Sequence, residues 1–202
     1  TPRTIGTWLA HATCGEQNIF ELTLYDLKNL HRPITDITLP PFTLQPDLDC
    51  KPRVQQVLLS PDSIYLAIAR SDNVTHVYDA RFLGRRVLYE FPHGAAVEAT
   101  KEDGQYGIYK VEWLDDGTHR LNLVTCGADG CVRLWDVKQA YGDFSDTIVA
   151  QSTSYAGWFS LGDIYKGEIP LVMGDGSGNV VVCDRIDTLD EPPRQSLLDT
   201  SV

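Results

Sequence analysis

The 202-residue sequence contains no apolar run near the ~18 residues that a membrane span needs, and its N-terminus lacks the pattern of a signal peptide. None of its five cysteines belongs to a C-x-x-C pair, and no histidine pair lies nearby at zinc-binding spacing. Cysteines without such partners are typical of a reducing compartment. We therefore expect an intracellular chain, cytoplasmic or nuclear, with no metal site.

Positive charge is scarce in the second half of the chain. The whole sequence has 17 Lys and Arg against 28 Asp and Glu, a net charge of −11, of which residues 1–101 carry −1 and residues 102–202 carry −10. Such an acidic field repels nucleic acid and anionic membranes and favours partners with a basic patch, although solubility alone also explains it. We expect protein or peptide partners, basic ones included, and no nucleic acid or membrane.

The sequence also lacks the motifs of common catalytic sites. There is no G-x-S-x-G elbow, and no phosphate-binding loop follows a strand and opens a helix. Residues 175–179 superficially resemble a calcium loop, but Ile186 stands where the bidentate glutamate should be, so a glycine-rich strand turn is favoured. We expect no catalytic residue, no cofactor and no metal, and we interpret the chain as not an enzyme.

The sequence does contain an internal repeat. Four short apolar segments end in an aromatic or apolar residue followed by aspartate, and they are residues 19–26, 74–79, 131–136 and 180–184. Their terminal aspartates are 53, 57 and 48 residues apart. A tight-turn sequence precedes each segment, and another short apolar strand precedes each turn. Each unit is therefore predicted to be an antiparallel meander, without a helix.

The third unit resembles the end of a WD40 repeat, in the stretch Thr-Cys-Gly-Ala-Asp-Gly-Cys-Val-Arg-Leu-Trp-Asp at residues 125–136. Residues 57–67 resemble the middle of that repeat, and Val77-Tyr78-Asp79 is a close variant of its end. The resemblance covers roughly residues 7–184. It implies an all-β, WD40-like β-propeller with about four blades, at approximately residues 1–40, 41–90, 91–143 and 144–187. Residues 188–202 are expected to be an acidic, proline-containing tail or the start of a next blade.

Four blades are fewer than the seven or more that are usual in WD-repeat rings. An open ring leaves strand edges uncovered. We therefore expect a partial ring, about half of a seven- or eight-blade propeller, which is completed by further blades or by self-association.

The resemblance also implies roles for individual residues. In the family, a turn aspartate, a strand serine or threonine, the tryptophan of Trp-Asp and a histidine before the first strand form a polar network in each blade. By position these are Asp129, Thr125 and Trp135 in the third unit, and Asp72 in the second. The family's Gly-His pair is absent, and residues 93 and 94 are His-Gly, the reverse order. Asp129 is therefore expected to bond amides of its own turn instead.

Surface residues are the remaining functional candidates. Those with interface chemistry, which follow the Tyr-Asp of the second unit, are Arg81, Phe82, Arg85 and Arg86. The resemblance implies that this connection joins an outer strand to the next inner strand, on the face most used for partners. The alternative is a solvated loop whose arginines pair with neighbouring carboxylates. Asp115, Asp116 and the loop at 141–146 are expected on the same face.

We interpret the chain as a non-enzymatic protein–protein interaction scaffold. It would be a WD-repeat subunit of an intracellular multiprotein complex, such as a ubiquitin-ligase receptor or a chromatin-associated complex. The alternative is a hydrolase-type β-propeller enzyme with carboxylates at the central channel. Solvent-facing carboxylates of raised pKa at the channel mouth would support that alternative.

Ring closure gives a first prediction. Each blade buries its faces against two neighbours, so three or four blades alone do not form a closed ring. We expect the isolated 202 residues to dimerise or aggregate unless further blades are supplied. Sedimentation velocity measures this directly, and a stable monomer in dilute solution contradicts the prediction.

Overall fold

The computed structural model describes residues 3–5, 8–14, 19–26, 28–43, 52–84, 86–95, 107–115, 121–137, 147–163, 166, 168, 170–184, 186 and 195–198. Within these ranges the chain consists of β-strands and the turns that join them, and no α-helix occurs. The prediction of an all-β chain is confirmed.

The strands of the described ranges form four antiparallel sheets of four strands each, and each sheet is a meander in chain order. The first sheet contains β1 (Arg3–Ile5), β2 (Trp8–Cys14), β3 (Phe20–Asp26) and β4 (Asn29–Thr38). The second contains β5 (Val54–Leu59), β6 (Tyr65–Arg70), β7 (Val74–Asp79) and β8 (Tyr89–Pro92). The third contains β9 (Ile108–Asp115), β10 (Leu121–Gly127), β11 (Cys131–Asp136) and β12 (Ile148–Gln151). The fourth contains β13 (Ala156–Leu161), β14 (Leu171–Asp175), β15 (Val180–Cys183) and β16 (Gln195–Leu198).

The first strand of each sheet lies against the first strand of the next, as the inner strands of a propeller do. The Val111 amide of β9 donates to Gln56 Oε1 of β5 at 2.9 Å, and Trp113 Nε1 donates to the Leu58 carbonyl at 3.3 Å. Lys110 of β9 in turn donates to the Phe159 carbonyl of β13 at 2.6 Å. The two contacts between β9 and β5 advance along both strands together, so these inner strands run in the same direction.

Apolar side chains fill the space between neighbouring sheets. Phe20, Leu22 and Leu24 of the first sheet pack against Leu66 and Ile68 of the second. Equivalent clusters join the second sheet to the third and the third to the fourth. Fully burying one such aliphatic side chain stabilises the fold by ~1.5–3 kcal/mol. Packing between successive sheets is therefore what holds the array together.

The burial pattern along a strand shows whether its sheet has one covered face or two. In β3, the buried side chains of residues 20, 22 and 24 alternate with the more exposed side chains of residues 21 and 23. In β10, residues 123–127 are buried without interruption. Alternation is typical of a sheet with one packed face, and continuous burial is typical of a sheet packed on both. The third sheet therefore lies between two neighbours.

The sheets differ from the predicted units at their outer strands. The third sheet extends to Gln151, because β12 pairs with β11, whereas the predicted third unit ends at residue 143. Likewise β16 pairs with β15, although it lies within residues 188–202. The strand that ends in Trp-Asp or its variant is thus the third strand of a sheet and not the last. Three of the fourth strands, β8, β12 and β16, have only four residues each, too few to show a clear apolar alternation, whereas β4 has ten.

Gly130 shows how tightly the sheets are joined at one edge. It closes the turn between β10 and β11 with a φ of 73°, in the left-handed region that favours glycine. A Cβ at this position would lie 2.5 Å from the Ser152 carbonyl oxygen and 2.6 Å from that of Ser154. Both carbonyls belong to the connection between the third and fourth sheets, so the turn and the connection are in direct backbone contact.

This contact predicts that Gly130→Ala destabilises the fold by at least ~1–3 kcal/mol, since the substitution combines backbone strain with a steric clash. Gly84→Ala is the matched control, because a Cβ at Gly84 meets no described atom within 4 Å. Urea unfolding of both variants measures the difference. Equal stability of the two variants would show that the turn can move away from the connection.

Candidate functional site

Four buried polar side chains of the third sheet and of the segment that enters it form a hydrogen-bonded chain. Trp135 Nε1 donates to Thr125 Oγ1 at 2.8 Å, and Thr125 Oγ1 lies 2.7 Å from His93 Nε2. His93 Nδ1 lies 2.8 Å from Asp129 Oδ1. The Trp135 ring also stacks on Phe91 of β8, with the ring centroids 4.9 Å apart. The chain of bonds thus links β10, β11 and their turn to the end of the second sheet.

The direction of each bond follows from the donors and acceptors present. An ionised Asp129 can only accept, so His93 Nδ1 carries the proton and donates to it. Trp135 Nε1 can only donate, which leaves the Thr125 hydroxyl free to donate to the unprotonated Nε2 of His93. Burial lowers the pKa of His93 despite its bond to Asp129, so the imidazole is neutral. Every hydrogen-bonding atom of the four-residue chain therefore has its partner.

Asp129 is the most heavily bonded residue of this network. Burial alone would raise the pKa of its carboxyl group, but His93, the charge of Arg133 and the Gly94 amide hold that pKa well below its ordinary value. Oδ2 accepts from the Gly94 amide at 3.0 Å and from Arg133 at 2.9 and 3.2 Å. Oδ1 also accepts from the Cys131 amide at 3.1 Å. One carboxylate thus bonds its own turn, its own sheet and the incoming segment.

The expectation that Asp129 bonds its own turn instead of a histidine was incomplete. The Cys131 amide is such a partner, but His93 also bonds Asp129 although the order of His93 and Gly94 is reversed. With glycine after the histidine, the Gly94 amide donates to the second carboxylate oxygen of Asp129. The sequence signal was present as the lone histidine before the third sheet.

The order of groups in this network is that of a catalytic triad, with Asp129, His93 and the Thr125 hydroxyl in sequence. Its burial prevents the corresponding chemistry. Thr125 is fully buried and His93 is 8% exposed, and the Thr125 oxygen already bonds Trp135. A nucleophile needs access to a substrate carbonyl, and this hydroxyl has none. The network is arranged to hold the sheets and not to react.

The second sheet carries a different polar network at the corresponding place. Asp72 accepts from the Thr43 amide at 2.9 Å and from Arg70 at 2.6 and 2.9 Å. Arg70 is 1% exposed, donates to the carbonyls of residues 40 and 41, and lies over the Phe42 ring at 4.0 Å. Burial and the charge of Arg70 lower the pKa of the adjacent His76 to about 4. Here an arginine binds the incoming segment in place of a histidine.

Two buried hydroxyls of the second sheet show what is lost when the network changes. Tyr78 follows Asp72 by six residues, as Trp135 follows Asp129, so it occupies the equivalent position in the second sheet. Ile68 precedes Asp72 by four residues, as Thr125 precedes Asp129, so the second sheet has no hydroxyl at this place. The Tyr78 hydroxyl has no hydrogen-bond partner among the described residues, and neither has Thr75 Oγ1. Burial raises the pKa of Tyr78 to about 12.

The fourth sheet repeats the arrangement in a more exposed form. Asp175 accepts from the amides of Ser177 and Asn179 at 2.9 and 2.8 Å, which closes the turn between β14 and β15. It also accepts from the hydroxyl of Ser152 in the incoming segment. Burial would raise the pKa of Asp175, but these hydrogen bonds lower it. The resemblance of residues 175–179 to a calcium loop is thus accounted for by an ordinary strand turn.

The predicted partner-binding segment lies elsewhere than the resemblance implied. Residues 80–88 join β7 to β8, the third and fourth strands of one sheet, and do not lead to the next sheet. This expectation was wrong because β8 had not been recognised as a strand. The segment therefore lies at the edge opposite to the one that carries the turn aspartates.

Within this segment, Arg81 forms a bidentate ion pair with Asp79, at 2.9 Å from Nε and 2.7 Å from a terminal nitrogen. The hydrogen bond and charge of Asp79 raise the pKa of Arg81. This pairing is the kind that the solvated-loop alternative expects for the arginines of the segment. Phe82 and Arg86 are exposed, whereas Arg85 lies outside the described residues.

The acidic candidates are only partly described. Asp115 is the last residue of β9, and because β9 runs parallel to β5 and β7, it lies at the same edge as residues 80–88. Its side chain, Asp116 and the loop at 141–146 lie outside the described residues. The backbone position of Asp115 therefore agrees with the prediction that these groups share a face with Arg81. For Asp116 and the loop at 141–146 it stays a prediction.

The described residues contain no group of three or more His, Cys, Asp or Glu side chains that could hold a metal ion. Three described cysteines have buried thiols, and burial raises the pKa of Cys126 and of Cys131 to about 12. These thiols are therefore protonated and unreactive. In the same part of the chain, no helix has the length and apolar character to cross a bilayer.

Comparison with known proteins identifies the repeat and the fold. Residues 99–136 match the family model described as WD domain, G-beta repeat. Among curated proteins, none matches the sequence. The solved structure of the Dos1 propeller is 18% identical with a TM-score of 0.61, and the alignment covers 86% of this chain and 38% of that one.

Two further solved structures have the same fold. The C-terminal WD40 domain of Sif2 is 14% identical with a TM-score of 0.56, covering 88% of this chain and 40% of that one. A chain of the mitotic checkpoint complex is 12% identical with a TM-score of 0.62, covering 92% of this chain and 48% of that one. The chain therefore spans less than half the length of each of these three structures. It carries a WD repeat and has the fold of part of a WD-repeat β-propeller.

The hydrogen-bonded chain yields a prediction with a matched control. Thr125→Val removes a hydroxyl that has two partners, leaving Trp135 Nε1 and His93 Nε2 unpaired, and should lower the free energy of unfolding by ~1–3 kcal/mol. Thr75→Val removes an equally buried hydroxyl without a described partner and should be neutral or slightly stabilising. Denaturant titration compares the two. A similar effect of both substitutions would mean that the Thr125 bonds contribute nothing net.

Proposed function

We propose that the chain is a non-enzymatic protein-interaction scaffold, the WD-repeat part of an intracellular multiprotein complex. One observation carries this proposal. The densest polar cluster of the described residues, around Asp129, is buried, fully bonded within itself and devoted to joining sheets. Because this cluster joins sheets inside the protein, we assign the function to surface side chains that contact other molecules.

The fold supports the same proposal in general terms. WD-repeat propellers as a class bind other proteins, and one matched structure is described as a mitotic checkpoint complex, an assembly of several chains. We put forward two roles for the chain: the receptor subunit of a ubiquitin ligase, or a subunit of a chromatin-associated complex. Subunits of both kinds hold partners on a fixed surface, and in this chain the turn aspartates Asp72, Asp129 and Asp175 hold successive sheets in fixed positions.

The competing function is a hydrolase-type propeller with carboxylates at the channel. That function requires solvent-facing carboxylates of raised pKa. The two described carboxylates whose pKa shifts, Asp129 and Asp175, shift downward. The triad-like order of Asp129, His93 and Thr125 is the one remaining feature that favours a hydrolase. The burial of these three residues argues against that function, because a substrate could not reach them.

Affinity purification tests the scaffold function. The tagged chain, isolated from cells and analysed by quantitative mass spectrometry, should retain a reproducible set of proteins in near-stoichiometric amounts. A tagged globular protein of similar net charge is the control, because an acidic surface alone attracts basic proteins. In parallel, the purified chain should show no turnover of ester, glycoside or phosphate substrates. Turnover by the folded chain, with no protein retained, would establish the hydrolase instead.

A further inference from the structure

The described residues of the segment 80–88 are anchored to the body of the fold. The Ala80 amide donates to the Ile64 carbonyl at 2.7 Å, and the Phe82 amide donates to the Asp79 carbonyl at 3.0 Å. Leu83 is buried in the core between the first and second sheets, and the Leu88 amide donates to the Val77 carbonyl at 2.8 Å. The segment is therefore held at both ends and in its middle. A partner that binds it orders little new structure, which keeps the entropy cost of binding low.

The same segment exposes apolar surface. Phe82 is 50% exposed and Leu88 is 39% exposed, although Leu83 between them is buried. The Arg81 guanidinium lies over the Phe82 ring at 5.7 Å and is held in place by Asp79. A fixed arginine beside an exposed aromatic ring is a combination enriched at the energetic centres of interfaces.

The charge of the segment indicates the chemistry of its partner. Arg81 is neutralised by Asp79, but Arg86 is exposed and forms no ion pair with a described residue. An unpaired arginine that becomes buried in an interface requires a carboxylate or phosphate opposite it. The chain as a whole carries −11, which repels extended polyanions such as nucleic acid or an anionic membrane. A short protein segment with a few carboxylates meets the first requirement and is repelled less, because it carries fewer negative charges than an extended polyanion.

We propose that Arg86, Phe82 and Leu88, with Arg81 fixed beside them, dock a protein segment that carries a carboxylate next to an apolar side chain. This inference rests on the proposed scaffold function and adds to it the place of contact and the chemistry of the partner. The docking site lies on the edge opposite to the turn aspartates, so occupying it leaves the joints between the sheets undisturbed.

A peptide selection tests the proposal. Random twelve-residue peptides displayed on phage are selected on the immobilised chain, and the enriched peptides should be rich in Asp and Glu with Leu, Phe or Trp alongside. Fluorescence anisotropy then measures binding of an enriched peptide and of its counterpart with Asn and Gln in place of Asp and Glu. The counterpart should bind at least about tenfold more weakly.

Matched variants locate the site. Arg86→Glu and Phe82→Ala should each weaken binding of the acidic peptide by about tenfold or more. Arg32→Glu makes the same charge reversal, and Ile34→Ala truncates a similarly exposed apolar side chain, on β4 of the first sheet, and each should alter binding less than twofold. Circular dichroism and urea unfolding of all four variants should match the unmodified chain, because each changed side chain is exposed.

Each other outcome overturns the inference in a distinguishable way. Peptides without acidic enrichment, or equal binding by all four variants, place the contact elsewhere while the scaffold function stands. Tighter binding of a single-stranded DNA oligonucleotide or of phosphatidylserine vesicles, lost in Arg86→Glu, identifies a phosphate polyanion as the occupant. A selection that enriches no peptide removes the docking site, and the affinity purification then decides the scaffold function separately.

Discussion

Apolar packing holds successive sheets together, and their relative position depends on one recurring interaction, in which the carboxylate of a strand turn binds the segment that arrives from the preceding sheet. Asp72 binds the Thr43 amide, Asp129 binds His93 and Gly94, and Asp175 binds the Ser152 hydroxyl. Apolar packing between sheets is not directional, so by itself it would allow neighbouring sheets to slide. A buried carboxylate with several fixed donors has far fewer acceptable positions.

The partners of the carboxylate change from sheet to sheet while its position does not. The third sheet uses a neutral histidine and an arginine, the second uses an arginine and the Thr43 amide, and the fourth uses serine and asparagine. The third sheet alone among these combines Thr125 with Trp135, and the family model matches residues 99–136. A family model recognises the particular side chains of the third sheet. The turn carboxylates of the other two sheets accept hydrogen bonds from different donors and hold the same position.

Features encoded by neighbouring residues could be predicted from the sequence, and those that need distant residues could not. The turn at 128–130 and the strands beside it follow from local Asp, Gly and alternating apolar residues, and they were predicted correctly. The contact between His93 and Asp129 joins residues 36 positions apart, so no local pattern carries it. The outer strand β8 was missed because its four residues include Glu90 and Pro92, which suit a sheet edge but hide the apolar alternation. The place of Arg81 was therefore misassigned as well.

The direction of the turn interaction has a consequence for how the protein is made. In each of the three cases the partner that lies in the segment from the preceding sheet comes before the carboxylate in the chain, by 29 residues for Thr43, 35 for Gly94 and 23 for Ser152. In a growing polypeptide, the segment from the preceding sheet is therefore synthesised before the turn whose carboxylate binds it. Each meander can dock on a completed predecessor as it leaves the ribosome, and no sheet has to wait for a later one to lock its turn. The order of these contacts along the chain therefore permits the sheets to assemble in the order of their synthesis.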